Sequence, residues 1–333
     1  MDFSTNYLGF KLSNPFMPGA SPLVDNLDTV RRLEDAGAAA IVMHSLFEEQ
    51  IIQEQLGAFM NTETHGESSA EALSYFPGTD KFRLGPEQYL DQIRRVKRAV
   101  KVPVIASLNG HTLGGWLDHA QLMEQAGADA LELNVYALAT DPSTNCQILE
   151  DRTVEMVLAV KQAVKIPVAV KLSPFYTALA NFARRLVKSG ADGLVLFNRF
   201  YQPDINTEEL SVERSLKLSD SSELNLRLRW LAILSGRIRA SLAVTGGIHT
   251  ATDAVKSLMT GASAIQVVSA LILKGPGYLK TLIADTKRWM EEHEYESLEK
   301  MRGNMSLNSC PDPTAYERAN YMLILQGLKS ELF

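Results

Sequence analysis

A lysine lies at the end of an otherwise apolar segment, Val168-Ala169-Val170-Lys171-Leu172. Burying an ammonium group without a counter-charge is costly, so we expect a carboxylate or a charged ligand beside Lys171. The alternative is a side chain that reaches solvent at the rim. Two chemical roles fit a buried lysine here. It could stabilise negative charge on a reduced cofactor, or it could form a Schiff base with a carbonyl substrate.

A double glycine follows another apolar segment, Ser241 to Val244, in Thr245-Gly246-Gly247-Ile248. Further along, Gly261-Ala262 precedes a second apolar run that ends at Val268-Ser269. Backbone N–H groups at such turns can hold a phosphate dianion, and glycine lets the backbone approach the phosphate oxygens. A tight structural turn is the alternative interpretation.

Three asparagines end apolar segments: Asn109, Asn134 and Asn198. Each amide offers two donors and one acceptor, so three of them at one site suit a planar ligand with alternating N–H and C=O edges. Singly, each could be a turn former. Other polar strand-end candidates are Ala20-Ser21, His44-Ser45, Ser107 and Thr245. His44 fits either a ligand contact or a hydrogen bond to a neighbouring loop.

A repeated pattern predicts the elements that position these residues. A helix end, Gly-Ala and an apolar strand follow one another at Gly37-Ala38, Gly127-Ala128, Gly190-Ala191 and Gly261-Ala262. Glycine just beyond a helix stops it in the left-handed conformation, and the strand follows at once. Further strands are predicted at 15–20, 101–105, 165–169 and 242–245, and amphipathic helices at 27–36, 117–125, 154–164 and 179–188. Eight alternations favour an α/β fold, a (β/α)₈ TIM barrel, over a doubly wound sheet.

Three predicted strand-to-helix connections are long: 45–85, 135–150 and 199–222. They follow strands two, four and six, and connections of this length are usually functional, so we expect a lid over the barrel mouth. We predict a barrel over 1–303 and a tail over 304–333. The tail is predicted to form an amphipathic helix through Tyr316, Tyr321, Leu325 and Leu328 that packs on the barrel or on another subunit, most simply in a homodimer.

The bulk properties exclude several classes of protein. The 333 residues carry a net charge of −6, which favours neither nucleic acid nor an anionic membrane as a partner. No apolar run is long enough to span a bilayer, and the N-terminus lacks a signal-peptide pattern. Two cysteines, Cys146 and Cys310, make neither a disulfide framework nor a zinc site. We expect a cytoplasmic protein without a metal.

From about Leu8 to Arg302 the chain resembles the dihydroorotate dehydrogenase family, FMN-dependent (β/α)₈ barrels of pyrimidine synthesis. The matching motifs are Asn14-Pro15-Phe16-Met17, Ala20-Ser21, Glu132-Leu133-Asn134, Val170-Lys171-Leu172, Asn198, Thr245-Gly246-Gly247-Ile248, Gly261-Ala262, Gln266-Val267, Ser269, Tyr295-Glu296-Ser297-Leu298 and Arg302-Gly303.

The resemblance implies FMN as the cofactor and assigns its contacts. Gly246, Gly247, Val268 and Ser269 would hold the phosphate, with Thr245 as a further cofactor contact. Ala20, Ser21 and Ser45 would line the flavin, with Asn109 close to it. Lys171 would stabilise the anionic reduced ring. Asn134 and Asn198 would face both the ring and the substrate, and His44 would be a substrate contact.

The catalytic base of the family is missing. The family places cysteine or serine where this chain has Ala137, and a methyl group cannot accept a proton. The family lysine after strand two is His44, and the family's asparagine motif is not recognisable around Phe76-Pro77-Gly78-Thr79. Tyr136, Ser143 or Cys146 could supply a replacement base.

Three functions therefore fit the sequence. The first is an FMN-dependent oxidoreductase that transfers hydride between flavin N5 and a small cyclic substrate, either dihydroorotate or a related compound. The second is an FMN-carrying electron-transfer or regulatory subunit with a redox partner protein. The third is a flavin-free Schiff-base aldolase that uses Lys171 as the nucleophile and binds a substrate phosphate at Gly246-Gly247.

Overall fold

The computed structural model describes residues 1–50, 85–110, 114–135, 138–199, 202–213 and 217–316, and within the tail residues 321, 322, 324, 326 and 327. An antiparallel hairpin of β1 (Thr5–Tyr7) and β2 (Phe10–Leu12) comes first. Its Tyr7, Leu8 and Leu12 side chains pack against the small and apolar residues inside the barrel. The hairpin therefore closes the end of the barrel at which the strands begin.

Eight parallel strands form a nearly closed barrel, as the sequence predicts. They are β3 (Phe16–Pro18), β4 (Ile41–Phe47), β5 (Val104–Gly110), β6 (Ala130–Val135), β7 (Val168–Leu172), β8 (Gly193–Leu196), β11 (Ser241–Thr245) and β12 (Ala264–Val267), numbered with the hairpin β9 (Asp204–Asn206) and β10 (Ser211–Glu213) between β8 and β11. Each strand pairs with the next around the sheet, and β12 pairs with β3. The Ala39 N–H donates to the Phe16 carbonyl oxygen at 2.9 Å and links β3 to the start of β4.

Helices cover the outside of the barrel. Their bounds are Leu27–Asp35, Pro86–Ala99, Gly114–Gln125, Cys146–Ala163, Leu179–Lys188, Leu224–Leu234, Ala251–Met259, Ser269–Lys274, Tyr278–Glu292 and Leu298–Met301. The glycines that end helices before strands, such as Gly127 (φ 100°) and Gly190 (φ 103°), have the predicted left-handed backbone. Across the described ranges, no helix combines the length and the apolarity needed to cross a membrane.

Three element boundaries differ clearly from the prediction. Strands β4 and β5 continue to Phe47 and Gly110, beyond the apolar residues that marked them in sequence. Polar residues such as Ser45 and Asn109 interrupt the apolar pattern before these strands end. Helix Cys146–Ala163 begins eight residues before the predicted Val154, because its first turns are exposed and carry no apolar periodicity. Asn145 caps it by accepting the Ile148 N–H.

The long connections are only partly described. Most of the first lies outside the described residues, and the second runs from the end of β6 to Cys146. The third contains the β9–β10 hairpin, whose apolar Ile205, Leu210 and Val212 are exposed. Their predicted role as a lid stays a prediction.

The tail begins by packing on the barrel's helices. The Met305 N–H donates to the Met259 carbonyl oxygen and the Leu307 N–H to the Ala232 carbonyl oxygen. Tyr316 lies in a 3₁₀ turn, Pro313–Tyr316, and not in the predicted α-helix, while Tyr321 is helical and 64% exposed. Leu325 and Leu328 lie outside the described residues. The domain division at 303/304 and the packing of the tail on another subunit remain predictions.

Candidate functional site

A cavity of about 600 Å³ opens at the carboxyl ends of the barrel strands. We call it the mouth cavity. Its size is typical of sites that enclose a cofactor-sized ligand. Its walls include eleven predicted site residues, namely Ala20, Ser21, His44, Ser45, Asn134, Lys171, Asn198, Thr245, Gly246, Val268 and Ser269. The structure therefore brings these residues from seven strand ends to one place.

Lys171 projects into a buried polar group inside the barrel. Its side chain is 9% exposed, and Nζ lies 3.4 Å from Oε1 of Glu132, which is fully buried. The carboxylate predicted beside Lys171 is therefore Glu132, and the lysine does not reach solvent at the rim.

Two more buried side chains, Gln266 and Tyr7, lie inside the barrel near Glu132 and Lys171. Gln266 Nε2 donates to Glu132 Oε2 at 2.5 Å across the barrel. The Tyr7 hydroxyl, contributed by the hairpin, is buried with no hydrogen-bond partner among the described residues. Burial, and secondarily the charge of Glu132, raises the pKa of the Tyr7 phenol well above its ordinary value. Tyr7 therefore stays neutral, and Lys171 supplies the positive charge opposite Glu132.

Asn134 presents an unpaired acceptor at the mouth cavity. Its Nδ2 lies 3.5 Å from Ser45 Oγ, which in turn shares a 2.8 Å hydrogen bond with Ser107 Oγ. Its Oδ1 is buried without a partner among the described residues, as is Ser21 Oγ. Buried polar atoms normally have partners, so both atoms point to a polar ligand.

Asn198 has a structural role that its sequence position did not predict. Its Nδ2 donates to the Val135 carbonyl oxygen at 3.1 Å and lies 3.4 Å from the Lys171 carbonyl oxygen. It thereby ties the end of β8 to the ends of β6 and β7. The Oδ1 atom of the Asn198 amide is left to contact a ligand.

The double glycine has a reason in the protein's own packing. Gly246 (φ 83°) and Gly247 (φ 81°) both have left-handed backbones. A Cβ on Gly246 would lie 2.7 Å from Arg227 Nη2, and one on Gly247 would lie 2.7 Å from the Leu224 backbone nitrogen. The contacts that exclude a side chain are thus with helix Leu224–Leu234. The requirement for glycine, which the sequence interpretation ascribed to a phosphate, follows from the turn itself.

The predicted phosphate donors converge on a serine that the sequence did not single out. Ser219 Oγ accepts the Gly247 N–H at 3.3 Å and donates to Ser269 Oγ at 2.9 Å. Ser269 Oγ also accepts the Ser219 N–H at 3.1 Å. Ser219 and Ser269 both line this end of the mouth cavity, and the Gly247 N–H behind them is already paired with Ser219. Hydroxyl groups in such a wall suit an anionic group.

Arg227 lies directly behind the double-glycine turn. Nε donates to the Thr245 carbonyl oxygen at 2.5 Å and Nη1 to the Glu223 carbonyl oxygen at 2.6 Å. Burial lowers the pKa of the Arg227 guanidinium from its ordinary value, while the Glu223 carboxylate opposes that shift. Arg199, at the cavity wall, pairs with the same carboxylate at 3.2 Å. The two arginines thus add positive charge beside this end of the cavity.

His44 makes a close contact with an acidic side chain. Its Nδ1 lies 2.7 Å from Asp25 Oδ1, and both residues line the mouth cavity. His44 therefore contacts a loop residue and also lines the cavity, and its predicted contact with a ligand stays a prediction.

Some predicted residues are not at the cavity wall. Asn109 is buried and Gly247 lies behind Ser219, and neither lines the cavity. Ser143 is exposed and bonds to Asp141, and Cys146 is exposed at the start of its helix, so neither lines it either. Tyr136 and the base position Ala137 lie outside the described residues. The sequence interpretation missed Asp25, Ser219 and Arg227; each lies in or just after a strand-to-helix connection, which was the available signal.

Comparisons with known proteins agree with this architecture. The family described as Dihydroorotate dehydrogenase matches residues 82–290, more than half of the chain. A Thermoplasma volcanium protein named dihydroorotate dehydrogenase B (NAD(+)), catalytic subunit, is 29% identical over 91% of this chain and 98% of its own length. The chloroplastic dihydropyrimidine dehydrogenase (NADP(+)) of Arabidopsis thaliana is 23% identical over 91% of this chain and 76% of its own length. The chain belongs to the dihydroorotate dehydrogenase family.

Proposed function

We propose that this chain is an FMN-dependent oxidoreductase that acts on a small cyclic substrate of the dihydropyrimidine type, dihydroorotate or a close relative. The observation that carries the proposal is the composition of the mouth cavity. Eleven of the residues that the family resemblance implies line one cavity at the carboxyl ends of the strands. Two relatives named after dihydropyrimidine substrates support the substrate class.

The described residues fit FMN at both ends of the cavity. At one end, Ser219 and Ser269 line the cavity together with Arg199, which suits a phosphate. At the other, Asn134 Oδ1 is a buried acceptor without a partner in the described part of the chain, which suits an N–H of a flavin ring or of a substrate. When bound, FMN would supply a two-electron acceptor of hydride.

Lys171 would provide the electrostatic part of the mechanism. An ammonium group in a water-poor cavity stabilises negative charge that develops beside it. Glu132, fixed by Gln266, holds that ammonium in position. We expect Lys171→Ala to make the bound flavin harder to reduce or to weaken its binding. Unchanged flavin content together with an unchanged reduction potential would contradict this role.

Titration of the flavin-free chain with FMN and with riboflavin tests the cofactor assignment. Charge-assisted hydrogen bonds contribute about 1.5–3 kcal/mol, so riboflavin, which lacks the phosphate, should bind roughly 10–100-fold more weakly than FMN. Equal affinities for FMN and riboflavin would show that the double-glycine turn at Gly246 does not bind a phosphate. No binding of either compound would overturn the proposed cofactor.

A redox partner protein is part of the proposal. The Thermoplasma volcanium relative is named as a catalytic subunit, which supports an accessory subunit for this chain as well. We propose that electrons leave the flavin to such a partner. Copurification of the chain with a second redox protein from its source cells would test this assignment, and a homodimer would appear in the same experiment as a doubled mass.

A further inference from the structure

The chain has an unusual feature at the strand that carries His44. Between Val42 and Ser45 the pairing of β4 with β5 shifts by one residue, because Met43 and His44 together oppose Ala106. Such a β-bulge re-aims side chains and is common beside active sites. In a regular strand, successive side chains point to opposite faces. Here the consecutive residues His44 and Ser45 both line the mouth cavity.

The imidazole of His44 is fixed from two sides. Asp25, in the turn after Pro22–Val24, places Oδ1 2.7 Å from Nδ1. The Tyr89 ring meets the imidazole edge to face, with centroids 4.9 Å apart and planes at 80°. The Tyr89 hydroxyl lies 2.8 and 3.0 Å from the carbonyl oxygens of His44 and Ser107, which share its one proton, and it accepts the Ser107 N–H at 2.9 Å. Both the backbone and the ring of His44 are therefore held in place.

This arrangement selects one tautomer. The 2.7 Å contact between Asp25 Oδ1 and His44 Nδ1 is an ion-pair distance without hydrogen-bond geometry. A carboxylate this close to Nδ1 favours the tautomer with the proton on that nitrogen, so the lone pair of the neutral ring lies on Nε2. The carboxylate also stabilises the imidazolium that forms when Nε2 takes up a proton. The His44 side chain is 19% exposed, in the wall of the cavity. It can therefore exchange a proton with a bound molecule.

We propose that His44, oriented by Asp25, is the base that takes the substrate proton in this enzyme. This inference rests on the proposed function and names the group that replaces the base missing at Ala137. The C–H bond next to a substrate carbonyl breaks, its proton goes to His44 Nε2, and its electron pair forms the new C=C bond. The hydride on the neighbouring carbon leaves to the flavin, the two-electron acceptor. Asp25 is a positioning residue for this step.

The titratable groups around His44 are few among the described residues. Asp25 faces it from the turn and Tyr89 from helix Pro86–Ala99. Burial raises the pKa of the Tyr89 phenol well above its ordinary value, so this neighbour remains neutral. Lys171 and Arg199 lie in the same cavity wall and repel an imidazolium. Asp25 is the negative group that compensates them at His44.

Anaerobic stopped-flow reduction of the flavin tests the assignment, with L-dihydroorotate and 5,6-dihydrouracil as probes. General-base catalysis contributes about 10²–10⁴-fold, so His44→Gln should slow flavin bleaching by at least about 100-fold. Orotate should still bind His44→Gln within about threefold of its wild-type affinity, because glutamine keeps a polar side chain but cannot act as the base. Added imidazole should restore part of the rate in His44→Ala.

Two control variants separate base catalysis from other roles. His44→Lys restores the cation that the family carries at this position, and a wild-type rate in it would show that charge alone is needed. His293→Gln changes an exposed histidine that stacks on Trp289 and should leave the rate unchanged.

Asp25→Asn should slow flavin bleaching while the affinity for orotate stays unchanged. In ¹⁵N-histidine spectra of the flavin-free protein, the proton on His44 Nδ1 should be present in the wild type and lost from Nδ1 in Asp25→Asn.

The outcomes distinguish this inference from the proposed function. If either probe bleaches the wild type and His44→Gln at the same rate, the base assignment is wrong and the function stands. If rate and orotate affinity fall together, His44 only binds substrate, which also overturns the assignment. A wild-type flavin that neither probe reduces overturns the proposed substrate class and, with it, the role of His44.

Discussion

The buried ion pair of Lys171 and Glu132 should be coupled strongly enough to measure. At the observed separation of 3.4 Å, two unit charges attract by about 5 kcal/mol at an effective dielectric constant near 20. Removing only one charge leaves the other buried, which costs about 3–5 kcal/mol. We therefore expect Lys171→Met and Glu132→Gln each to be strongly destabilising. The double variant should be less destabilised than the sum of the two by about 2–4 kcal/mol.

Urea denaturation of the flavin-free wild type, both single variants and the double variant gives this coupling energy directly. The flavin is removed first because a ligand that binds only the native state adds its own stabilisation. Arg288 and Asp285 provide a matched control, since their ion pair of 2.9 Å is largely exposed. Arg288→Met and Asp285→Asn should be coupled by less than about 1 kcal/mol.

Additivity of the Lys171 and Glu132 substitutions within about 0.5 kcal/mol would refute the reasoning. It would mean that the two side chains do not interact across the barrel interior. Glu132 could not then be the group that holds the Lys171 ammonium below the mouth cavity, and the electrostatic role proposed for Lys171 would lose its structural basis.

Two further predictions concern the turn and the barrel floor. Gly247→Ala should destabilise the protein by about 3 kcal/mol, because a left-handed backbone costs roughly 1–2 kcal/mol and the new Cβ meets the Leu224 backbone. Gly9 has a similar φ and no described neighbour within 4 Å of such a Cβ, so Gly9→Ala should cost only the backbone strain. Equal losses of unfolding free energy in urea would contradict the packing argument. Tyr7→Phe removes a buried hydroxyl that has no partner among the described residues. Thermal unfolding should therefore show a stability that is unchanged or higher by up to about 1 kcal/mol. A clear loss of stability would reveal a partner for that hydroxyl.

The barrel was predictable from the sequence because the residues that end its helices and start its strands act locally. Each Gly-Ala pair marks a helix end and a strand start, and both follow from the left-handed conformation of the glycine alone. The ends of β4 and β5 were missed, since polar residues such as Ser45 and Asn109 interrupt the apolar pattern from which the strands were predicted. The β9–β10 hairpin was missed for the opposite reason, because exposed strands carry no apolar pattern.

Much of the candidate site was also predictable, since polar residues at strand ends converge in any such barrel. What sequence could not give were the pairings across it. The contact of Glu132 with Lys171 joins residues on neighbouring strands, and the contact of Asp25 with His44 depends on a bulge that shifts the register of β4. Neither side-chain pair has a sequence spacing that identifies it.

The most direct test of the central claim is the absorption spectrum of the purified chain, recorded anaerobically before and after addition of L-dihydroorotate or 5,6-dihydrouracil. We predict the spectrum of oxidised FMN at the start and bleaching by at least one of the two compounds. A protein that binds no flavin, and that sodium borohydride instead links to a carbonyl substrate at Lys171, would contradict the account.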